Sequence, residues 1–192
     1  MNPCGLLLLT GGKGRRFGGP KHDQQHPAGG SWGSHLVDAF LGVFPGGPVV
    51  LLGEPLAERP GLPLVRDPGE GPAAALQVWA AGPPEPARRW WVVACDQVRW
   101  TAGTLRAWHA EAEAADPRAE HWVMARVLDH DQFLGGFLPG TLIPPVAARS
   151  FLSLRDLARE LPCLVRPWPQ DCWQDVDTPQ ARDQWLRDQA EG

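Results

Sequence analysis

The sequence predicts an α/β domain of three layers, in which helices cover both faces of a mainly parallel, mixed sheet. Short runs that are almost wholly apolar, at residues 6–9, 48–53 and 90–96, indicate strands buried on both faces, as in parallel sheets. Segments with helical periodicity, such as residues 101–115, separate such runs. Strands that alternate with helices predict crossover connections. A chain of 192 residues can bury a sizeable core, so we expect one domain over residues 1–192.

The other elements are predicted in chain order from apolar runs and capping residues. Ser31 or Ser34 is placed to cap a helix that runs to Phe44. Pro179 suits the first turn of a closing helix. Further strands are expected at residues 62–66, 121–128, 132–139 and 163–168, and further helices at residues 73–81 and within residues 149–161.

Composition and charge exclude several classes of protein. The formal net charge is −4 and no long basic run is present, which argues against a nucleic-acid partner. No apolar stretch approaches twenty residues, so no membrane span is expected, and we predict a cytoplasmic protein. The cysteines at positions 4, 95, 163 and 172 form no C-x-x-C pair, so we expect reduced thiols and no structural zinc site.

The strongest functional signal lies in residues 6–21. A run of four leucines is followed, within eleven residues, by five glycines, two arginines and two lysines. Lys13 and Lys21 are the only lysines in the chain. Glycines let backbone N–H groups approach an anion closely, and the cations supply the countercharge, so this segment predicts a polyphosphate cradle. The alternative is a glycine-rich turn with solvated charges.

Two common phosphate-binding loops do not fit this segment. A P-loop requires Ser or Thr directly after its lysine, whereas Lys13 is followed by Gly14 and Lys21 by His22. The dinucleotide-binding fingerprint requires a glycine where Phe17 stands. The segment is therefore neither a P-loop nor a dinucleotide-binding loop.

Two aspartates directly follow predicted strands. Asp67 comes after the third strand and before a helix, and Asp96 ends the fourth. Open α/β sheets bind ligands at the carboxyl ends of their strands, so both residues are candidates for ligand binding. A turn or helix-cap role is the alternative for Asp67. A carboxylate such as that of Asp96 is costly at the end of a buried strand unless it binds a cation or accepts several hydrogen bonds.

The segment before the closing helix carries two more carboxylates. Asp175 and Asp177 alternate along an extended stretch, so both are expected to point to one side. Alternatively, Asp177 or Thr178 caps the helix that follows.

The histidines give weaker signals. His22 and His26 are four residues apart, but no helix pattern supports a shared face. A polar turn is therefore favoured over a metal site at this point. His109 lies within the helix predicted at residues 101–115, and we interpret it as a surface residue.

The motifs and their order resemble those of the molybdenum cofactor guanylyltransferase family. Residues 9–21 resemble its Leu-Ala-Gly-Gly-x-x-x-Arg-Met-Gly-x-x-Lys motif, and residues 94–98 resemble Pro-Cys-Asp-x-Pro. Residues 67–75 resemble an aspartate followed by Gly-Pro-Leu-Ala-Gly, residues 132–144 its acceptor-side segment, and residues 175–179 Asp-x-Asp-Thr-Pro. The resemblance implies a Rossmann-like nucleotidyltransferase fold.

The resemblance also implies a reaction, in which GMP passes from GTP to the phosphate of molybdenum-bound molybdopterin and pyrophosphate is released. It assigns nucleotide contacts to Leu9, Thr10, Gly11, Gly12 and Asp67, charge stabilisation to Arg16 and Lys21, and Mg²⁺ binding to Asp96 with Asp175 or Asp177. The implied partners are GTP and molybdopterin as substrates, together with molybdoenzymes or other cofactor-biosynthesis proteins. A phosphate nucleophile is ionised at neutral pH, so no general base is expected.

Two other functions stay open at this point. One is a related nucleotidyltransferase that uses CTP or a sugar phosphate. The other is a non-catalytic nucleotide-binding or partner-binding protein, because Ala94 and Val98 replace both prolines of the Asp96 motif and residues 22–26 are polar. Nucleotide binding with and without Mg²⁺ would separate these alternatives.

Overall fold

The structure, a computed structural model, describes residues 2–12, 17, 19–82, 85–148, 150–169, 176 and 178–191. Its strands are β1 (Asn2–Leu9), β2 (Val49–Leu52), β3 (Leu64–Val65), β4 (Ala87–Ala94), β5 (Trp122–Val127), β6 (His130–Pro139) and β7 (Cys163–Pro167). They form one sheet in the order β3-β2-β1-β4-β6-β5-β7. The strand β6 runs antiparallel to β4 and β5, and the other described pairs are parallel. The predicted mixed, mainly parallel sheet is confirmed.

In the part of the chain that the structure describes, six α-helices accompany the sheet: α1 (Trp32–Leu41), α2 (Pro72–Ala81), α3 (Ala102–Ala115), α4 (Ile143–Ala147), α5 (Leu154–Glu160) and α6 (Pro179–Glu191). The buried side chains of α1 and α3 pack in one core cluster, and those of α2, α4 and α5 pack in another. Helices therefore cover both faces of the sheet, as the apolar strands predict. Among the described helices, none combines the length and the apolar character that a bilayer crossing requires.

The alternation of side chains along the central strands explains the two cores. Leu6 and Leu8 of β1 belong to the core under α1 and α3, whereas Leu7 belongs to the core under α2. In β4 the tryptophans divide in the same way, with Trp91 on the first side and Trp90 on the second. Successive side chains of a strand point to opposite faces, so an all-apolar strand supplies both cores.

Helix starts agree with the capping residues that the sequence provides. The Ser31 side chain accepts a hydrogen bond from the N–H of Ser34 at 3.2 Å and caps α1. Thr101 and Thr104 form a capping box at the start of α3. The sequence analysis did not predict α4, which begins at Ile143 because two prolines occupy its first turn.

One residue departs from its expected environment. His109 is not a surface residue: its ring packs against Phe44 and Phe137, with centroids 4.8 and 5.3 Å away, and its side chain is 20% exposed. It follows Trp108 on α3, so it lies at the border of the buried face, where two aromatic rings reach it. Burial lowers the pKa of His109.

The close packing of β1 against β4 gives a test of the core. A methyl group at Gly5 would lie 2.6 Å from the buried ring of Trp90. We expect Gly5→Ala to lower the free energy of unfolding by about 1–3 kcal/mol, because a well-packed core resists added volume. Urea unfolding measures the change. Gly103→Ala is the matched control, since its methyl group would meet its nearest atom at 3.6 Å near the start of α3. Equal effects of the two changes would contradict the packing argument.

Candidate active site

A cleft of about 1480 Å³ opens at the edge of the sheet where the parallel strands end. The register of the sheet pairs Leu9 of β1 with Leu52 of β2 and with Ala94 of β4, so the loops that follow these strands meet at this edge. The cleft brings together most of the predicted site residues that the structure describes, namely Leu9, Gly11, Gly12, Lys21, Asp67 and Asp96. Thr10 lies just beneath them and is buried.

An ion pair joins Lys21 to Asp96. The Lys21 Nζ lies 2.7 Å from Asp96 Oδ2, and the two side chains are 16% and 18% exposed. Asp96 follows β4, whereas Lys21 lies in the long connection between β1 and α1, so the contact joins positions 75 residues apart. The Lys21 ammonium group therefore supplies the cation that the Asp96 carboxylate requires at the end of β4.

Other carboxylates line the cleft that holds Asp96. The carboxylate already attracts one positive charge, and Asp23 lines the same cleft beside Lys21. Mg²⁺ takes one or two protein carboxylates and fills its other positions with water and phosphate oxygens. No group of three or more potential metal ligands occurs among the described residues, and Asp175 and Asp177 lie outside them.

Thr10 connects the loops that follow β1 and β2. Its hydroxyl donates to the Glu54 carbonyl at 2.6 Å and accepts from the Glu54 N–H at 3.0 Å. The N–H groups of Thr10 and Gly11 both donate to the Leu52 carbonyl at 3.0 Å. These two N–H groups are thus engaged within the protein, so a nucleotide contact in this part of the loop would use carbonyls or Gly12. Arg16, the other cation predicted for this loop, lies outside the described residues.

Glycine is required where these loops touch. A Cβ atom at Gly11 would collide with the carboxylate of Asp67, and one at Gly53 would collide with the backbone of Gly11. Gly53 also has a φ of +131°, which disfavours other residues. Gly12 has a φ of +107° with open space where a side chain would stand. The loop is therefore packed closely at Gly11 and open at Gly12.

Asp67 has the turn role that was the alternative for it. Its Oδ1 accepts a hydrogen bond from the Gly69 N–H at 2.8 Å, which stabilises the turn before α2. Its other oxygen faces Gly11 at the cleft. Asp67 can therefore act as a turn residue and still present an oxygen to a ligand; nucleotide contact at Asp67 stays a prediction.

Three charged residues of the cleft were missed by the sequence analysis: Asp23, Glu54 and Arg66. Arg66 directly follows β3, and Glu54 comes two residues after β2. The rule that identified Asp67 and Asp96, a polar residue at the carboxyl end of a strand, could have identified both. Asp23 carries no such signal, because it lies in an irregular segment.

Cys95, beside Asp96, is buried. Burial raises the pKa of the Cys95 thiol well above its ordinary value, and the negative charge of Asp96 adds to this effect. A neutral thiol is a weak nucleophile, so no nucleophilic role is assigned to Cys95. Cys4 and Cys163 are also unpaired thiols, as expected, and Cys172 lies outside the described residues.

A small, mostly aromatic cluster, here called the loop cluster, includes Phe17 of the cation-rich segment 6–21. Its members are Phe17, Trp32, Val98, Val176 and Trp185. The Trp32 ring makes edge contacts with the rings of Phe17 and Trp185, at centroid distances of 5.4 and 5.9 Å. The N–H of Val176 donates to the Asp96 carbonyl at 3.1 Å. Trp185 of α6 and Val176 therefore pack with residues next to the site.

Two stacked histidines border the loop cluster. The rings of His26 and His35 lie 3.6 Å apart and nearly parallel, and His26 also contacts Trp185. His26 Nδ1 accepts from the Ala28 N–H at 3.1 Å, and its Nε2 lies 3.3 Å from the Val98 carbonyl, so the neutral ring with its proton on Nε2 fits both contacts. Burial, with the nearby His35, lowers the pKa of His26 to about 4, and burial lowers that of His35. This is a structural stack rather than a metal site.

The chain has an α/β nucleotidyltransferase fold. The model of the MobA-like NTP transferase domain matches residues 6–164. The chain belongs to that family. A comparison with curated protein sequences finds no match.

Several solved structures share the fold over nearly the whole chain. Rv0371c from Mycobacterium tuberculosis is 20% identical with a TM-score of 0.70, and each chain is covered almost fully, 97% of this one and 99% of that one. The complex of Rv0371c with manganese is 18% identical to this chain, with a TM-score of 0.67 and the same coverage of both chains. Molybdopterin-guanine dinucleotide biosynthesis protein A from Archaeoglobus fulgidus is 13% identical with a TM-score of 0.66, again covering 97% and 99%. At these identities the likeness shows the fold alone.

The histidine stack gives a prediction for acid stability. The pKa of His26 is about 4 in the folded protein and about 6.5 in the unfolded chain, so the unfolded chain binds more protons between these values. We therefore expect the free energy of unfolding to be fully retained above pH 6.5 and to fall as the pH is lowered from 6.5 towards 4. His26→Phe, which keeps an aromatic ring but cannot be charged, is expected to reduce this fall.

Urea unfolding at several pH values measures the effect. His130→Asn is the matched control, because His130 is exposed at the start of β6. It should keep the pH dependence of the unchanged protein. An unchanged pH dependence in His26→Phe would show that another group causes the acid sensitivity.

Proposed function

We propose that the protein is a molybdenum cofactor guanylyltransferase, which transfers GMP from GTP to molybdenum-bound molybdopterin in the cytoplasm. The observation that carries the proposal is the Lys21–Asp96 pair, which sets a cation and a carboxylate side by side in the cleft of a MobA-like nucleotidyltransferase. The fold shared with the A. fulgidus molybdopterin-guanine dinucleotide biosynthesis protein supports the choice of acceptor. Molybdoenzymes or other proteins of cofactor biosynthesis are the proposed partners.

The proposed reaction needs little covalent help from the protein. A phosphate oxygen of molybdopterin attacks the α-phosphorus of GTP, the bond from that phosphorus to the β-phosphate bridge breaks, and pyrophosphate leaves with the bonding electrons. Such transfers depend on alignment and on neutralised charge. Lys21, together with Arg16, stabilises the negative charge that develops on the pyrophosphate. The attacking phosphate is already ionised, so no general base is assigned.

Asp96 is the proposed Mg²⁺ ligand, with Asp175 or Asp177 as its partner. Its carboxylate lies in the cleft with the Lys21 ammonium group 2.7 Å away, so an ion bound to Asp96 would displace or adjoin this group. The manganese complex of Rv0371c, a protein of the same fold, supports a divalent ion. A bound ion would act as a Lewis acid that neutralises charge on phosphate oxygens. A polyphosphate would in turn provide Lys21 with acceptors other than Asp96.

The Leu9 to Gly12 segment and Asp67 are the proposed nucleotide contacts. Gly12 is the exposed residue of this segment, and apart from its chain neighbours no atom of the described residues lies within 4 Å of where its side chain would begin. Arg66 adds a further cation to the cleft that was not foreseen. The choice of guanine follows from the order of the motifs along the chain.

We expect GTP with Mg²⁺ to raise the melting temperature more than CTP, ATP or UTP with Mg²⁺. A ligand that binds the native state alone stabilises it by about 2.7 kcal/mol at 100 times its Kd, which for a chain of this size corresponds to roughly 5–10 °C. Differential scanning fluorimetry measures the shifts. A larger shift with CTP would favour a cytidylyltransferase, and the lack of any shift would favour the non-catalytic alternative.

Asp96→Asn tests the metal assignment. The change keeps the shape of the side chain but removes the charge that attracts Lys21 and Mg²⁺. We expect the ligand-free protein to lose about 1–2 kcal/mol of stability, between the values for exposed and buried ion pairs. The Mg²⁺-dependent part of the GTP shift should disappear.

Asp129→Asn is the control, because Asp129 is exposed on the turn between β5 and β6. It should preserve both the stability and the Mg²⁺ dependence. An intact Mg²⁺ dependence in Asp96→Asn would overturn the metal assignment, whatever the change in stability.

A further inference from the structure

Two cations lie near the ring of Phe17. The Lys21 Nζ is 5.9 Å from the ring centroid, and the guanidinium carbon of Arg182 is 5.6 Å from it. Both distances are within the range of cation–π attraction, and Phe17 is only 5% exposed, so water weakens the attraction little. The Phe17 ring therefore lies near two cations: Lys21, which takes part in the proposed reaction, and Arg182 of α6, which does not.

Arg182 is held in place by its neighbours. Its guanidinium donates to Asp183 Oδ1 at 3.0 and 2.9 Å and to Gln24 Oε1 at 3.4 Å. The Gln24 contact joins positions 158 residues apart and connects α6 to the segment that carries Lys21. Trp185, almost one turn further along α6, is buried in the loop cluster. Two side chains thus hold α6 in place: Arg182 contacts Gln24, and Trp185 packs in the loop cluster.

Arg182 is not among the described residues that line the cleft, which include Phe17 and Lys21. An effect of Arg182 on a ligand in the cleft would therefore pass through residues that it contacts. Phe17 lies against the Lys21 side chain, whereas Gln24 contacts the Lys21 main chain, because the Gln24 N–H donates to the Lys21 carbonyl at 3.1 Å. Of these two routes, the one through Phe17 reaches the ammonium group.

We propose that Arg182 is a positioning residue for Lys21, acting through the ring of Phe17, and that α6 braces the polyphosphate-binding loop. The Arg182 guanidinium and Trp32 hold the ring, and the ring limits the orientations open to the Lys21 side chain. A lysine restricted in this way loses less conformational freedom when a polyphosphate binds, which strengthens binding. The inference rests on the proposed function, because that proposal assigns Lys21 to the polyphosphate.

A double-mutant cycle on the full chain tests this role. The probe is inorganic pyrophosphate with Mg²⁺, measured by calorimetry, because its binding depends on neither the base nor the acceptor. The variants are Lys21→Met, Arg182→Ala and their combination. If Arg182 acts through Lys21, Arg182→Ala should weaken pyrophosphate binding about two- to ten-fold in the unchanged protein and have no further effect in Lys21→Met.

Two further variants separate positioning from a general effect on folding. Arg182→Lys keeps a cation within reach of the ring and should recover most of the affinity. Arg187→Ala, on the same helix with a hydrogen bond to Gln184, should leave the affinity unchanged. The melting temperature of Arg182→Ala should stay close to that of Arg187→Ala, so that the loss of affinity does not follow a loss of fold.

The outcomes separate the positioning role of Arg182 from the assignment of Lys21 and from the proposed reaction. If Arg182→Ala weakens pyrophosphate binding equally in the unchanged protein and in Lys21→Met, the positioning role is overturned and the assignment of Lys21 stays intact. Unchanged pyrophosphate binding in Lys21→Met would overturn that assignment and the positioning role together. Pyrophosphate binding with the predicted coupling, but without GMP transfer, would support the positioning role and overturn the guanylyltransferase proposal.

Discussion

The parallel pairing of β1 with both β2 and β4 is the constraint on which the site depends. The register aligns Leu9 with Leu52 on one side and with Ala94 on the other, so the three strands end at one level. Gly5 of β1 pairs with Trp90 of β4, and a Cβ atom at Gly5 would lie 2.6 Å from the Trp90 ring, so a shift of one residue would bring a side chain against that ring. The loops that follow are therefore held side by side, and a site formed on them shares the rigidity of the sheet.

The glycine-rich loop has two parts with different physical roles. Its first part, at Thr10 and Gly11, is packed against the loop of Gly53 and bonded to the Leu52 carbonyl, so it belongs to the scaffold. Its second part begins at Gly12, where the backbone has a left-handed conformation and open space. Rigid support beneath an accessible backbone is a suitable arrangement for an anion site, because the support limits the entropy lost on binding.

Much of the fold was predictable because it depends on local patterns. The apolar runs of β1, β2 and β4 and the caps at Ser31 and Thr101 each follow from a few neighbouring residues. Within the site, the strand-end rule identified Asp67 and Asp96 and also applied to Arg66, which was overlooked.

What the sequence could not predict arises from contacts between distant segments. The Lys21–Asp96 pair joins residues 75 positions apart, and the contact of Arg182 with Gln24 joins residues 158 apart. His109 was assigned to the surface because helical periodicity does not reveal which rings from other elements reach the border of the buried face. Its burial depends on Phe44 and Phe137, which come from a connecting segment and from β6.

The docking of α6 has consequences for the synthesis of the protein, since Phe17 precedes β2 and the described strands after it, whereas α6 follows every strand that the structure describes. On the ribosome the described sheet can form before Trp185 and Arg182 emerge, so the loop cluster is completed after the sheet. A nascent chain with a formed sheet would therefore still lack the contact of Arg182 with the Phe17 ring and the packing of Trp185 in the loop cluster, and full binding capacity would appear only once α6 has been made.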